Sequence, residues 1–180
     1  MIAPVFVDTN ILLYARDARE PVKQPHAAQW LDHLWREQLG RTSTQVLSEY
    51  YVNLTRKLKP GLSPAEAWDD VQALFAWNPQ SIDADLLSRA RQVELRYRLS
   101  WWDSLIVAAA QAQGCSVLLT EDLSNSAVYG GVTVRNPFSL SVAEGAAEYS
   151  AATVASTRIP RRGRPKRRAA WPRCNLASFF

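Results

Sequence analysis

The sequence predicts an α/β fold with a central, mainly parallel sheet covered by helices, and three observations carry that prediction. Short, largely apolar runs, Val5-Phe6-Val7, Val117-Leu118-Leu119 and Val132-Thr133-Val134, are too brief for helices and suit strands buried on both faces. Between them lie longer segments whose apolar residues recur at three- and four-residue spacing, as on one face of a helix. The alternation of the two is the third observation. Strands separated by helices pair side by side in parallel, with the helices packed on the sheet.

Val5-Phe6-Val7 runs into Asp8-Thr9-Asn10 and then into a helix carrying Ile11, Leu12, Tyr14 and Ala15. Charge and proline make Asp17 to Pro25 a loop. From Gln24 to Leu39, Ala27, Trp30, Leu31, Leu34 and Trp35 form one apolar face, and Gly40 is placed to end that helix. Thr42-Ser43-Thr44 reads as a short strand leading to an N-cap. The helix it caps spans Gln45 to Lys57, with Val46, Leu47, Tyr50, Tyr51 and Leu54 inward. Ser63-Pro64-Ala65-Glu66 joins a serine cap, a first-turn proline and a third-position glutamate, which starts a helix running to Ala76. Further helices are expected over Asp83 to Arg98 and Asp103 to Gln113, the second very apolar and closed by Gly114. The strands from Val117 and Val132 complete the sheet, and Asn136-Pro137-Phe138 ends the patterned region.

Composition narrows the class. The chain has 180 residues, 47% hydrophobic and 21% charged, enough for one domain with a real core and a tail. No apolar run approaches a membrane span, and the N-terminus has none of the parts of a signal peptide, so a cytoplasmic location is expected. Cys115 and Cys174 are too few for a disulfide framework and lack metal-ligand neighbours. The net charge of +4 hides an asymmetry: from residue 141 on there are 8 basic and 2 acidic residues, against 13 basic and 15 acidic before it. The folded part is slightly acidic, and the excess positive charge sits in the tail, where it suits a polyanion.

Four acids stand where chemistry is done. Asp8 ends a buried strand one residue before a helix, and in open α/β sheets ligands sit beyond the carboxyl ends of the strands. Asp122 follows Val117-Leu118-Leu119 by three residues, Asp103 opens the apolar helix after Trp101-Trp102, and Glu49 has the apolar neighbours Val46, Leu47, Tyr50 and Tyr51. Each has a plainer use: Asp8 and Asp103 as helix caps, Glu49 on a solvated face, Asp122 in a turn. Asp17, Asp32, Asp69, Asp70, Asp83 and Asp85 lie in polar surroundings and read as solvated or capping.

Taken together the four are more informative. Packed carboxylates repel one another, and a hard divalent cation such as Mg²⁺ or Mn²⁺ removes that repulsion through oxygen ligands. Such a centre activates water for attack on a phosphodiester without histidine or thiolate. That suits a chain whose two histidines, His26 and His33, lie in an ordinary amphipathic helix. No G-x-S-x-G elbow and no phosphate-cradling glycine loop is present.

Val5-Phe6-Val7-Asp8-Thr9-Asn10, Ser48-Glu49-Tyr50-Tyr51, Trp102-Asp103-Ser104-Leu105-Ile106 and Leu119-Thr120-Glu121-Asp122-Leu123 stand in the order and rough spacing of a PIN-domain nuclease. Over residues 1–140 the chain resembles VapC-type toxins of bacterial toxin–antitoxin pairs, with Asn136-Pro137-Phe138 similar to the usual end of that domain. The resemblance implies a PIN-like three-layer α/β/α fold and a Mg²⁺- or Mn²⁺-dependent endoribonuclease that cuts tRNA or rRNA and halts translation. It implies metal-site and catalytic roles for Asp8, Glu49, Asp103 and Asp122, with Asp8 and Asp103 as direct ligands. Thr9 and Asn10 then orient Asp8 or a water. Glu121 adjoins Asp122, and either could point inward, although the motif favours Asp122. The resemblance also implies a cognate antitoxin and a homodimer, with which an exposed tryptophan-rich helix around Trp30 and Trp35 is compatible. Arg56, Lys57, Arg96 and Arg98 are candidates to hold RNA.

Residues 141–180 depart from the family and are expected to form a disordered basic tail. Within it, Arg161-Arg162-Gly163-Arg164-Pro165-Lys166-Arg167-Arg168 is similar to an AT-hook, whose glycine and arginines suit the minor groove of A·T-rich DNA. The rival function is therefore a DNA-associated binding protein acting through the tail.

Overall fold

The computed structural model describes residues 3–139. The expected basic tail and its AT-hook-like run lie outside the described residues. The order of elements is β1 (Val5–Val7), α1 (Thr9–Tyr14), α2 (Lys23–Glu37), β2 (Gly40–Arg41), α3 (Thr44–Arg56), α4 (Pro64–Leu74), a 3₁₀ turn (Phe75–Trp77), α5 (Ala84–Tyr97), α6 (Trp101–Ala112), β3 (Val117–Leu119), β4 (Val128–Tyr129) and β5 (Val132–Arg135). The α/β expectation is met, with helices flanking a five-stranded sheet of order β2-β1-β3-β5-β4.

β1 pairs in parallel with β2 on one side and β3 on the other, β5 continues the parallel run, and only β4 is antiparallel. Val5, Phe6, Val7, Leu118 and Leu119 are fully buried, as the sequence requires of strands covered on both faces. The chain leaves β1 in one direction to make β2 and returns on its other side to make β3. That reversal opens a crevice at the carboxyl ends of β1 and β3, where α/β sheets bind their ligands.

Local signals place the helices. Ser43, Asp83 and Ser100 each accept a backbone N–H in the first turn of α3, α5 and α6, and Ser63 with Glu66 makes a reciprocal cap on α4. Ser100 therefore starts α6 at Trp101, not Asp103, and Asp103 lies inside the first turn.

Three expectations are corrected. The strand expected at Thr42-Ser43-Thr44 lies earlier, at Gly40–Arg41, because the following residues turn from β1 to Gln80: Gln80 N donates to Thr42 O, and Thr44 N to Gln80 O, each at 2.9 Å. Gly40 does not end α2; Gln38 takes the left-handed position at φ 59°. Gly40 is needed because a Cβ there would run into the Trp77 ring. Trp30 is buried and Trp35 stacks edge-on against Trp77, with ring centroids 5.2 Å apart, so α2 shows no exposed tryptophan face. Among the described residues, no helix is long and apolar enough to cross a membrane.

Candidate active site

β1 ends on Asp8, whose backbone N–H donates to Leu119 O of β3 at 3.1 Å, so the two strand ends are tied together. The Asp8 carboxylate caps α1 by accepting from Thr9 N at 2.6 Å and takes a second bond from Thr120 Oγ1 at 2.8 Å. Capping α1 does not take Asp8 away from the crevice, since its second oxygen still meets Thr120. Thr120, fully buried and the first residue after β3, mirrors Asp8 after β1.

Glu49 is half-buried. It sits one turn into α3, where Thr9 Oγ1 donates to its Oε2 at 3.0 Å and Gln45 Nε2 to its Oε1 at 3.1 Å. Asp122 reaches back to α1, accepting from Asn10 Nδ2 at 2.8 Å, while its own N–H donates to Thr120 Oγ1 at 3.1 Å. Asp8, Glu49 and Asp122 thus share one hydrogen-bonded frame built from Thr9, Asn10 and Thr120. Burial pushes the Asp8 carboxyl up to about 6, the bonds from Thr120 and Thr9 pull against that, and the charges of Asp122 and Glu49 add to the rise.

Asp103 lies apart. Its carboxylate accepts from Ser100 Oγ at 2.7 Å, and among the described residues no hydrogen bond joins it to the other three acids. α6 leads by a short turn at Gly114 into β3 and so runs antiparallel to it. The first turn of α6 therefore points to the carboxyl edge that carries Asp8 and Asp122.

Glu121 turns away from the crevice. Tyr14 Oη donates to its Oε1, and Lys23 Nζ donates to its Oε2 at 2.7 Å. Lys23 also sits 4.3 Å from the Tyr14 ring centroid, and Tyr14 packs edge-on against Phe138. This contact set fixes the loop after β3 with Asp122 inward. Arg56, Lys57, Arg96 and Arg98 are all exposed. Arg56 is the last residue of α3 and Lys57 its C-cap. Arg96 and Arg98 end α5, just before the first turn of α6.

Sequence reasoning missed Thr120, Gln45, Tyr14 and Lys23. Only Thr120 carried a local signal, as a hydroxyl directly after a buried apolar strand.

The carboxylates of Asp8, Glu49 and Asp122 and the hydroxyls of Thr9 and Thr120 offer oxygen at the crevice, which suits a hard cation. Asn10 Oδ1 is shut off from solvent among these groups and has no hydrogen-bond partner, so an acceptor is in reserve. Among the described residues, however, no three His, Cys, Asp or Glu side chains converge into a ready metal cage. The residues fit a cation in chemistry, and their carboxylates have to draw together to hold one.

The raised Asp8 value makes a stability prediction for the metal-free protein. Between pH 4 and 6 the folded chain keeps a proton that the unfolded chain has released, so stability falls as pH rises through that window. Above it the penalty is about 2–3 kcal/mol. Asp8→Asn carries no such penalty. In EDTA-treated protein it is expected to melt higher than wild type at pH 7–8, by several degrees, with the gap closing below pH 4. A gap independent of pH contradicts this.

The PIN domain family matches residues 5–130 of the chain. Among solved structures, it is similar to a chain of a toxin–antitoxin complex from Klebsiella pneumoniae, with 23% identity and a TM-score of 0.53 over 75% of this chain and 98% of that one. It is also similar to Mycobacterium tuberculosis VapC20, a sarcin-ricin loop cleaving toxin, with 24% identity and a TM-score of 0.48 over 63% of this chain and 86% of that one. No curated protein sequence matches it.

Proposed function

The chain belongs to the PIN domain family, and from that premise we propose that it is a divalent-metal-dependent endoribonuclease, the toxin of a VapC-type toxin–antitoxin pair. The observation that carries the reading is the meeting of Asp8, Glu49 and Asp122 at the switch point of a parallel sheet. Residues 1–140 would form the nuclease domain, with an antitoxin protein as partner and tRNA or rRNA as substrate.

Asp8, Glu49 and Asp122 would hold Mg²⁺ or Mn²⁺, with Asp103 approaching from the first turn of α6. The cation would supply water activation and neutralise charge on the phosphodiester. The rest is the work of the chain. Thr120 and the Thr9 N–H orient Asp8, Thr9 Oγ1 and Gln45 orient Glu49, and the Lys23–Tyr14–Glu121 contacts keep Asp122 turned inward. Arg96 and Arg98, exposed just before α6, and Arg56 and Lys57, exposed at the end of α3, would offer positive charge to RNA phosphates.

Induced expression beside Asp8→Asn, with RNA 5′ ends mapped, tests the proposal. Growth arrest with a few discrete new ends, absent in Asp8→Asn, is the expected result. Equal toxicity of the two proteins with intact RNA overturns it.

A further inference from the structure

An amide stands between the acids. Asn10 Nδ2 donates to Asp122 Oδ2 at 2.8 Å and to Thr120 Oγ1 at 3.1 Å, and Asp8 Oδ2 lies 3.4 Å away. Two amide hydrogens cannot serve three acceptors well. On the other side of the same amide, Oδ1 is buried without a partner, although buried acceptors ordinarily find one. One end of the group is oversubscribed and the other idle. Turning it over would set Oδ1 against two carboxylates, so their charge holds the N–H end inward. The partial positive charge of the amide thus lies where oxygens of Asp8 and Asp122 converge, the place a cation would be drawn to.

We propose that Asn10 is the cation's stand-in: its N–H groups hold Asp8 and Asp122 together in the metal-free protein and give way when a divalent cation binds. The inference rests on the metal-site reading above. It assigns Asn10 a positioning role with an unusual sign. An ordinary ligand or orienting residue strengthens metal binding. Asn10 weakens it, because hydrogen bonds to charged oxygens must break first, and in return it quiets carboxylate repulsion in the empty site. The idle Oδ1 is what the amide can offer once it has turned.

The test uses the full chain, stripped of metal, as wild type, Asn10→Ala and Asn10→Ser. Mn²⁺ binding is measured by calorimetry and melting temperature with and without Mn²⁺. Both variants are expected to melt lower than wild type without metal. Both are expected to bind Mn²⁺ about tenfold more tightly, since a bond to a charged group nets at least one decade of affinity. Their melting temperatures should accordingly rise more on Mn²⁺ addition, and a variant that folds only with Mn²⁺ supports the same conclusion. Wild-type binding with equal or weaker binding in both variants overturns the stand-in role and leaves the metal site standing. A wild type that neither binds Mn²⁺ nor gains stability from it overturns both.

Discussion

Asp8→Asn is expected to lower RNA cleavage by at least about a thousandfold, since a metal centre supplies several kcal/mol to the transition state and about 4 kcal/mol is three decades of rate. Asp8 is the acid on which the frame converges, bonded by Thr120 Oγ1 and Thr9 N and approached by Asn10. Asparagine keeps its shape and loses the charge. Because the same substitution is expected to stabilise the metal-free protein above pH 6, lost activity cannot be ascribed to unfolding. Steady-state cleavage beside a melting curve on one preparation checks both. Near-wild-type cleavage by a well-folded Asp8→Asn protein contradicts the role given to this carboxylate.

Asp70→Ala is expected to cost about 3–5 kcal/mol of stability, the usual loss when one partner of a buried ion pair is removed. Asp70 pairs with Arg16, and the two side chains are only 9% and 13% exposed. Tyr50 Oη, fully buried, donates to the other Asp70 oxygen at 3.1 Å. Burial, and then the charge of Asp70, push the Tyr50 hydroxyl well above its ordinary range, so it stays protonated and donating. Alanine removes the one carboxylate to which Arg16 and Tyr50 Oη both donate. A fall of about 10 °C in melting temperature follows for a chain of this size. Asp32→Ala is the control. Its pair with Arg36 is 51% and 66% exposed, and such a surface pair is worth at most about 1 kcal/mol. Equal losses from the two substitutions contradict the account of the buried network.

The same residues show what the sequence could disclose. β1 and Asp8 were legible because an apolar strand stopping on an acid before a helix is a local pattern, and Asp122 after β3 repeats it. Glu49 was legible from its apolar neighbours along one helix. Asp70 was not: beside Asp69, in a polar stretch of α4, nothing nearby marks it as buried. Its burial depends on Arg16 and Tyr50, which come from other elements. Between Glu121 and Asp122 only the motif favoured Asp122, and nothing local could decide, since Lys23 and Tyr14 hold Glu121 from α2 and α1. β4 has two residues, Val128–Tyr129, too few to carry a period. Asp103 was placed as a helix start because Trp101 and Trp102 masked the cap at Ser100. Contacts within one turn or one strand end could be read; contacts across elements could not.

Whether these carboxylates form a metal-dependent ribonuclease centre is tested most directly by cleavage of total tRNA and rRNA by the purified chain with Mg²⁺ or Mn²⁺ and with EDTA. Discrete products are expected with metal, none in EDTA, and none from Asp8→Asn in either. Cleavage that persists in EDTA, or that Asp8→Asn performs as well as wild type, would contradict such a centre.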